Sequence, residues 1–221
     1  ARGRGFSVGS ARVPIVPQAI LFDLINGGSK RWLTDASERS PYWDLGRIAV
    51  ANAGPSFALG TAGAGFGATT VNLKGGLGSA SAACTSGHTV GALVAVNAVG
   101  SATIGDGPHF WAAAYEQDGE FGGLGPEPHG TARALTPRFK GGPGANTTIA
   151  IIATDAPLTK AQCKRLAIAA HDGMARALRP AHAPMDGDIV FAASTARQQK
   201  TVETMTLALL GTTAADCLAR A

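Results

Sequence analysis

The chain has few cysteines, little charge and no long apolar run. Its three cysteines, Cys84, Cys163 and Cys217, are odd in number and not at metal-ligand spacing, which excludes a fully paired disulfide framework and a zinc-type cluster. Cys163 and Cys217 fall on apolar helix faces and read as packed thiols in a reducing compartment, so a cytoplasmic location is expected. No stretch reaches the roughly 18 consecutive apolar residues of a membrane span, and the opening residues carry no signal-peptide apolar core. Charged residues make up 15% of the 221 residues, with a formal net charge of +4. They form no basic stripe interleaved with aromatics, so neither nucleic acid nor a membrane is an expected partner. The five histidines, His88, His109, His129, His171 and His182, are scattered, and their spacing supports no Ser-His-Asp arrangement.

What the chain has instead is glycine. Its 30 glycines cluster between Gly60 and Gly78 and between Gly119 and Gly144, and intervening strand-like segments make these clusters loops rather than linkers. The 45% hydrophobic residues leave ample material for a core, and the length fits one large domain or two small ones.

The most informative glycine-rich stretch is Gly141-Gly142-Pro143-Gly144-Ala145, which runs into Asn146-Thr147-Thr148 and the apolar run Ile149 to Ala153. Glycine and proline interrupt regular structure, and the apolar run reads as a strand buried on both faces. A pliable peptide therefore meets a rigid strand at one bond. Cleavage before Thr147 would leave an α-amine, with an unperturbed pKa of about 7.7–8.0, beside its own hydroxyl, where it would serve as general base. Glycine-rich loops also enter ordinary buried strands, and threonine is a favoured strand residue; the junction alone leaves both readings open.

Downstream, Thr159 and Gln162 make a Thr-x-x-Gln capping box, followed by Cys163, Leu166, Ala167, Ala170, Met174 and Leu178 on one helix face up to Pro180. Ile189 to Ala192 reads as another buried strand, placing Asp186 and Asp188 at a strand entrance beside Thr147. A last helix is expected with Val202, Met205, Leu209, Thr213 and Cys217 on its apolar face. Strand, helix, strand, helix suits two sheets covered by helices.

The segments Asn146 to Ile149, Ala153-Thr154-Asp155-Ala156-Pro157-Leu158-Thr159, Arg179-Pro180-Ala181-His182 and Met185-Asp186-Gly187-Asp188 resemble the N-terminal-nucleophile amidases that include nylon-oligomer hydrolases, D-aminopeptidase/esterases and β-peptidyl aminopeptidases. Upstream, Arg12 to Pro17, Ile20 to Leu24, Gly63 to Ala68 and Val96 to Gly100 agree in order and spacing. The resemblance implies an αββα sandwich and self-cleavage between Asn146 and Thr147. The products would be a larger subunit portion, 1–146, and a smaller one, 147–221, together forming one domain. It also implies a further segment ahead of Arg4-Gly5-Phe6, so this chain is expected to lack the N-terminal part of the family fold.

By the same resemblance Thr147 is the nucleophile, Lys74 the active-site lysine that tunes it, Asn97 the oxyanion donor, and Asp186 and Asp188 the acidic pair that orients the nucleophile and its amine. Phe22 stands where the nylon-oligomer hydrolases carry a tyrosine, which keeps the packing and removes a hydroxyl. Phe22, Gly65 and Phe66 are expected to line the substrate. On the residues alone, Lys74 ahead of two glycines equally reads as a solvated loop lysine, Asn97 as a turn residue, and Asp-Gly-Asp as a turn without calcium-loop spacing. The loop Gly63 to Gly67 lacks the following helix that a nucleotide cradle needs. No metal or cofactor is expected. The expected activity is hydrolysis of linear amides, 6-aminohexanoate oligomers among them, or of short peptides, by a homo-oligomer of αβ units. Alternatives are a β-peptidyl or D-amino-acid aminopeptidase, an ornithine-acetyltransferase-like acyltransferase, and an inactive assembly subunit.

Overall fold

A computed structural model describes residues 5–24, 26–128, 136–141, 146–196 and 201–221. Residues 142–145 of the glycine-rich loop, and His129, lie outside the described residues. The central element is a mixed four-stranded sheet in the order β3 (Gly76–Ala83), β4 (Thr89–Asn97), β5 (Thr147–Thr154) and β6 (Ile189–Ser194). The first three strands are antiparallel neighbours and β6 joins β5 in parallel. That parallel step requires a crossover, and α2 (Lys160–Ala177) supplies it.

Alternation along each strand decides which side is core. Val90, Ala92 and Val94 of β4, Ala150 and Ile152 of β5, and Val190 of β6 point to one face and are buried. There they meet Leu166, Ala170 and Met174 of α2 and Leu210, Ala214, Cys217 and Leu218 of α3 (Thr204–Arg220). The opposite face is open enough to leave Ile151 40% exposed. The expected β5 strand is therefore present, but its second face is only partly buried, because among the described residues the helices cover one side.

The α/β class with helices on the sheet matches the expectation, and one of the two expected sheet layers is present among the described residues. The remaining strands, β1 (Phe6–Val8) and β2 (Ala11–Val13), make a separate exposed hairpin, and α1 (Tyr42–Ala51) buries none of its residues.

Helix α2 forms as its sequence dictates. Thr159 Oγ1 accepts the Gln162 N–H at 3.3 Å and Gln162 Oε1 accepts the Thr159 N–H at 3.0 Å, closing the capping box. The helix ends at Ala177, with Leu178 already extended ahead of Pro180. Helix α3 is rotated from the expected face. Met205 and Leu209 face outward, whereas Leu210, Ala214 and Leu218 enter the core with Cys217. The reason is the close crossing of α3 over α2, where a Cβ on Gly173 would stand 2.3 Å from the Ala215 carbonyl oxygen and one on Gly211 would stand 3.0 Å from the Ala169 Cβ. A helix that approaches this closely presents its small residues to its neighbour, and those residues were not part of the expected apolar stripe.

Gly173→Ala tests that crossing. Helix propensity alone would favour alanine by about 1 kcal/mol, but a 2.3 Å approach to backbone cannot be relieved by a rotamer change. The expected result is a net loss of about 1–3 kcal/mol in denaturant unfolding. A more stable variant would show that the helices do not pack this closely.

Candidate active site

Three strand ends meet at Thr147. It is the first residue of β5 and pairs in register with Asn97, the last residue of β4. One position earlier, Asn146 bridges in parallel to Asp186, just ahead of β6. Sheet pairing thus brings the candidate nucleophile, the asparagine and the acidic pair to one edge of the sheet. Thr147 is 6% exposed and Asn146 is 3% exposed.

The upstream peptide is held against the hydroxyl. Thr147 Oγ1 donates to the Asn146 carbonyl oxygen, and the Gly187 N–H donates to the same oxygen at 3.2 Å. A Cβ on Gly187 would stand 2.9 Å from Thr147 Oγ1, so glycine is what lets the backbone between the two aspartates reach this carbonyl. Beside it, Asn146 Nδ2 and Oδ1 and Asp186 Oδ1 are buried without a hydrogen-bond partner among the described residues. Buried polar groups are ordinarily satisfied, and a group of them around one peptide marks a functional edge rather than an inert core.

The two carboxylates differ in their surroundings. Asp188, its side chain 2% exposed, accepts the Thr148 N–H at 3.0 Å and the His182 N–H at 2.9 Å, and its Oδ2 lies 3.0 Å from His182 Nδ1. It therefore ties the start of β5 to the 182–188 loop. Asp186 accepts the Val99 N–H at 3.0 Å through Oδ2. Burial pushes its carboxyl up to about 6; the neighbouring Asp188 carboxylate adds to the rise, while the Val99 N–H and the Lys140 ammonium oppose it. His182 also packs edge-on against His171, the ring centroids 4.8 Å apart, and burial with the adjacent His182 lowers the His171 pKa.

Asn97 is fully buried and pinned from several sides. Its Oδ1 accepts the Thr69 N–H at 3.0 Å and the Lys140 ammonium at 3.0 Å, while its Nδ2 donates to the Phe22 carbonyl at 2.8 Å. Phe22 thus reaches the site through its backbone, and its ring is half-buried. Lys74 directs its side chain outward. It is exposed, with its ammonium 4.9 Å from the centroid of the Phe66 ring, which is itself 75% exposed. The Lys74 backbone bridges Thr69, whose N–H binds Asn97, so Lys74 adjoins the site through its main chain while its side chain is turned to solvent. Gly65 packs against protein rather than opening toward a ligand, since a Cβ there would stand 2.1 Å from the Gly60 carbonyl oxygen.

Two residues at this edge carried no sequence expectation. Gly187 reads as an ordinary turn glycine until the β5–β6 register shows which carbonyl it faces. Lys140 sits at the rim of the glycine-rich loop, and only its contacts distinguish it from a surface lysine. It donates to the Thr69 carbonyl at 2.9 Å and to the Asn97 carbonyl at 3.3 Å, besides Asn97 Oδ1. Burial lowers its pKa, opposed by the Asp186 carboxylate.

A hydroxyl on its own upstream carbonyl, at a strand entrance beside buried carboxylates, points to the N-terminal-nucleophile class of hydrolase folds. The solved L-aminopeptidase D-Ala-esterase/amidase of Ochrobactrum anthropi, described as a prototype for the serine aminopeptidases and a variant of that fold, superposes with a TM-score of 0.54 at 27% identity, covering 79% of this chain and 46% of that one. The chain belongs to peptidase family S58, whose family model matches residues 5–221. An uncharacterized aminopeptidase of Mycobacterium bovis is 43% identical over 231 residues, covering 99% of this chain and 64% of its own length. The beta-peptidyl aminopeptidase of Sphingosinicella microcystinivorans is 36% identical over 160 residues, covering 71% of this chain and 38% of its own length. The chain therefore spans less than two thirds of these relatives.

Asp186 makes a pH-linked prediction. Its pKa rises from the ordinary 3.8 to about 6, so the native state holds a proton there that the unfolded chain has already released. The stability tied to this carboxyl is fully present below pH 3.8 and is lost as pH rises through about 6. Urea midpoints of the parent should fall relative to those of Asp186→Asn across that window. Parallel curves would show that the carboxyl titrates normally.

Proposed function

We propose that this chain carries the catalytic part of a self-processing amide hydrolase of the aminopeptidase type, with Thr147 as nucleophile. The observation behind this reading is the convergence of the Thr147 hydroxyl and the Gly187 N–H on one carbonyl, that of Asn146. In the first reaction Thr147 Oγ attacks the Asn146 carbonyl carbon. A C–O bond forms, the C–N bond breaks, and the hydroxyl proton ends on the departing nitrogen. Gly187 N–H takes the charge that develops on the carbonyl oxygen, the role of an oxyanion donor. Water then hydrolyses the ester, leaving an Asn146 carboxylate and a free amine on Thr147.

Cutting there leaves the sheet intact. All eight β4–β5 residue pairs, Asn97 with Thr147 through Val90 with Thr154, join the two pieces. Arg220 on the downstream piece also grips Glu120 on the upstream one at 2.6 and 3.0 Å. In the second reaction the Thr147 amine takes the proton from its own hydroxyl as that oxygen attacks a substrate amide, and water releases the acyl group. The Asp186 carboxyl, on the adjoining loop, is the acceptor assigned to the newly formed amine.

Relatives named as aminopeptidases point to substrates with a free amine, which a charge-assisted contact would hold. Short peptides, β-peptides and linear amides with free amino ends, 6-aminohexanoate oligomers among them, fit that requirement, and the names of the relatives support the aminopeptidase reading. Cleavage of unblocked substrates should exceed that of N-blocked ones by at least about 10-fold, the scale of one charge-assisted contact; equal rates would remove the amine requirement.

Thr147→Ala should give a single uncut chain with no hydrolysis, read by intact mass and a chromogenic amide. Gly187→Ala should leave Thr147 in place but slow self-cleavage by about 10²-fold, the scale for disturbing an oxyanion donor. Cleavage of the Thr147→Ala chain at the same bond would overturn the assignment.

A further inference from the structure

Resting on the reading of Thr147 as nucleophile, we propose that Lys140 is a positioning residue of this site, locking the Asn97 amide in one orientation and holding a positive charge against Asp186 from the upstream side of the cut. An ammonium has three donors and no acceptor. Lys140 finds an acceptor for each: the Thr69 carbonyl at 2.9 Å, Asn97 Oδ1 at 3.0 Å and the Asn97 carbonyl at 3.3 Å. All three are neutral, and among the described residues no contact ion pair consumes the charge, which is left to act on Asp186 at longer range.

The contact with Asn97 fixes chemistry one residue pair away from the nucleophile. Oδ1 accepts from both Lys140 and the Thr69 N–H. Turning the amide over would set its NH2 against an ammonium and an amide N–H, leaving two donors facing a donor. Nδ2 is therefore committed to the side on which Phe22 O lies at 2.8 Å. Asn97 is directly opposite Thr147 in the sheet, so Lys140, together with the Thr69 N–H, sets which end of that amide the nucleophile strand meets.

The link to the acidic loop runs through Val99. The Lys140 backbone N–H donates to the Val99 carbonyl at 2.8 Å, and the Val99 N–H donates to Asp186 Oδ2 at 3.0 Å. One short path of main-chain bonds thus fixes the lysine relative to the carboxylate. The charged groups acting on Asp186 are Asp188, itself paired with His182, and Lys140. Asp188 opposes ionisation and Lys140 is the cation that favours it.

The chain position gives the arrangement its meaning. Lys140 and all of its anchors, Thr69, Asn97 and Val99, lie upstream of the Asn146–Thr147 bond, whereas Asp186 lies downstream. Cleavage leaves the anchors untouched, so the same lysine serves the uncut chain and the processed one. It also makes the downstream piece dependent on the upstream one for its electrostatics.

The test is a titration that needs no catalysis. In the uncut Thr147→Ala chain, the carboxyl carbon of Asp186 is followed by 13C NMR and assigned through Asp186→Asn. Adding Lys140→Met should raise the Asp186 pKa by about 1 unit or more, as loss of a neighbouring opposite charge does, while Lys140→Arg should hold it within about half a unit of the parent. An unshifted Asp186 in folded Lys140→Met overturns the proposal. If Lys140→Met does not fold, Lys140→Arg decides: retention of the parent titration supports the charge, and a rise like that of a lost cation overturns it. Because the readout is independent of turnover, a Thr147→Ala chain that is still cut would sink the nucleophile reading alone, and a flat titration would sink the Lys140 role alone.

Discussion

The register between β4, β5 and β6 is the constraint on which everything else at this edge depends. Antiparallel pairing sets Asn97 opposite Thr147, and the parallel bridge of Asn146 to Asp186 sets Gly187 against the Asn146 carbonyl. A slip of one residue in either pairing would exchange the faces of Thr147 and Thr148. It would send the candidate nucleophile into the helical core and the buried Thr148 to the site. The core prevents this, because Ala150 and Ile152 share the face of Thr148 and are buried against α2 and α3.

That rigidity lies next to an electrostatically strained cluster. Asp186 is a half-buried carboxyl whose ionisation is opposed by Asp188 and favoured by Lys140. Asp188, by contrast, is satisfied by the Thr148 and His182 N–H groups and the His182 ring. One carboxylate is therefore structural, tying the 182–188 loop to β5, and the other remains adjustable. Separating the two roles by environment is how a pair of like residues comes to do different work.

Much of this was legible in the sequence, for reasons that can be named. The Thr159–Gln162 capping box and the Leu166, Ala170, Met174 stripe are local signals, and α2 formed where they point. The apolar runs after Thr147 and Asp188 became β5 and β6, and their adjacency brought the acidic pair to Thr147. What the sequence could not show was register and close approach. Lys74 and Lys140 both border glycines, and only folding puts one over Phe66 in solvent and the other on Asn97. Helix α3 turns a different face to the core than its apolar stripe suggests, because its contact face is built from Gly211, Ala214 and Ala215, small residues that no hydrophobic pattern emphasises. The open face of the sheet at Ile151 was unreadable too, since an apolar run does not say how many of its faces are covered.

The central claim is that Thr147 becomes a chain end and does chemistry there. The most direct measurement is the N-terminal residue of the smaller fragment in a sample shown to hydrolyse an unblocked peptide amide. The account predicts threonine, from the sequence Thr147-Thr148-Ile149, in proportion to the active fraction. A fully active sample whose Asn146–Thr147 bond is still joined would contradict it.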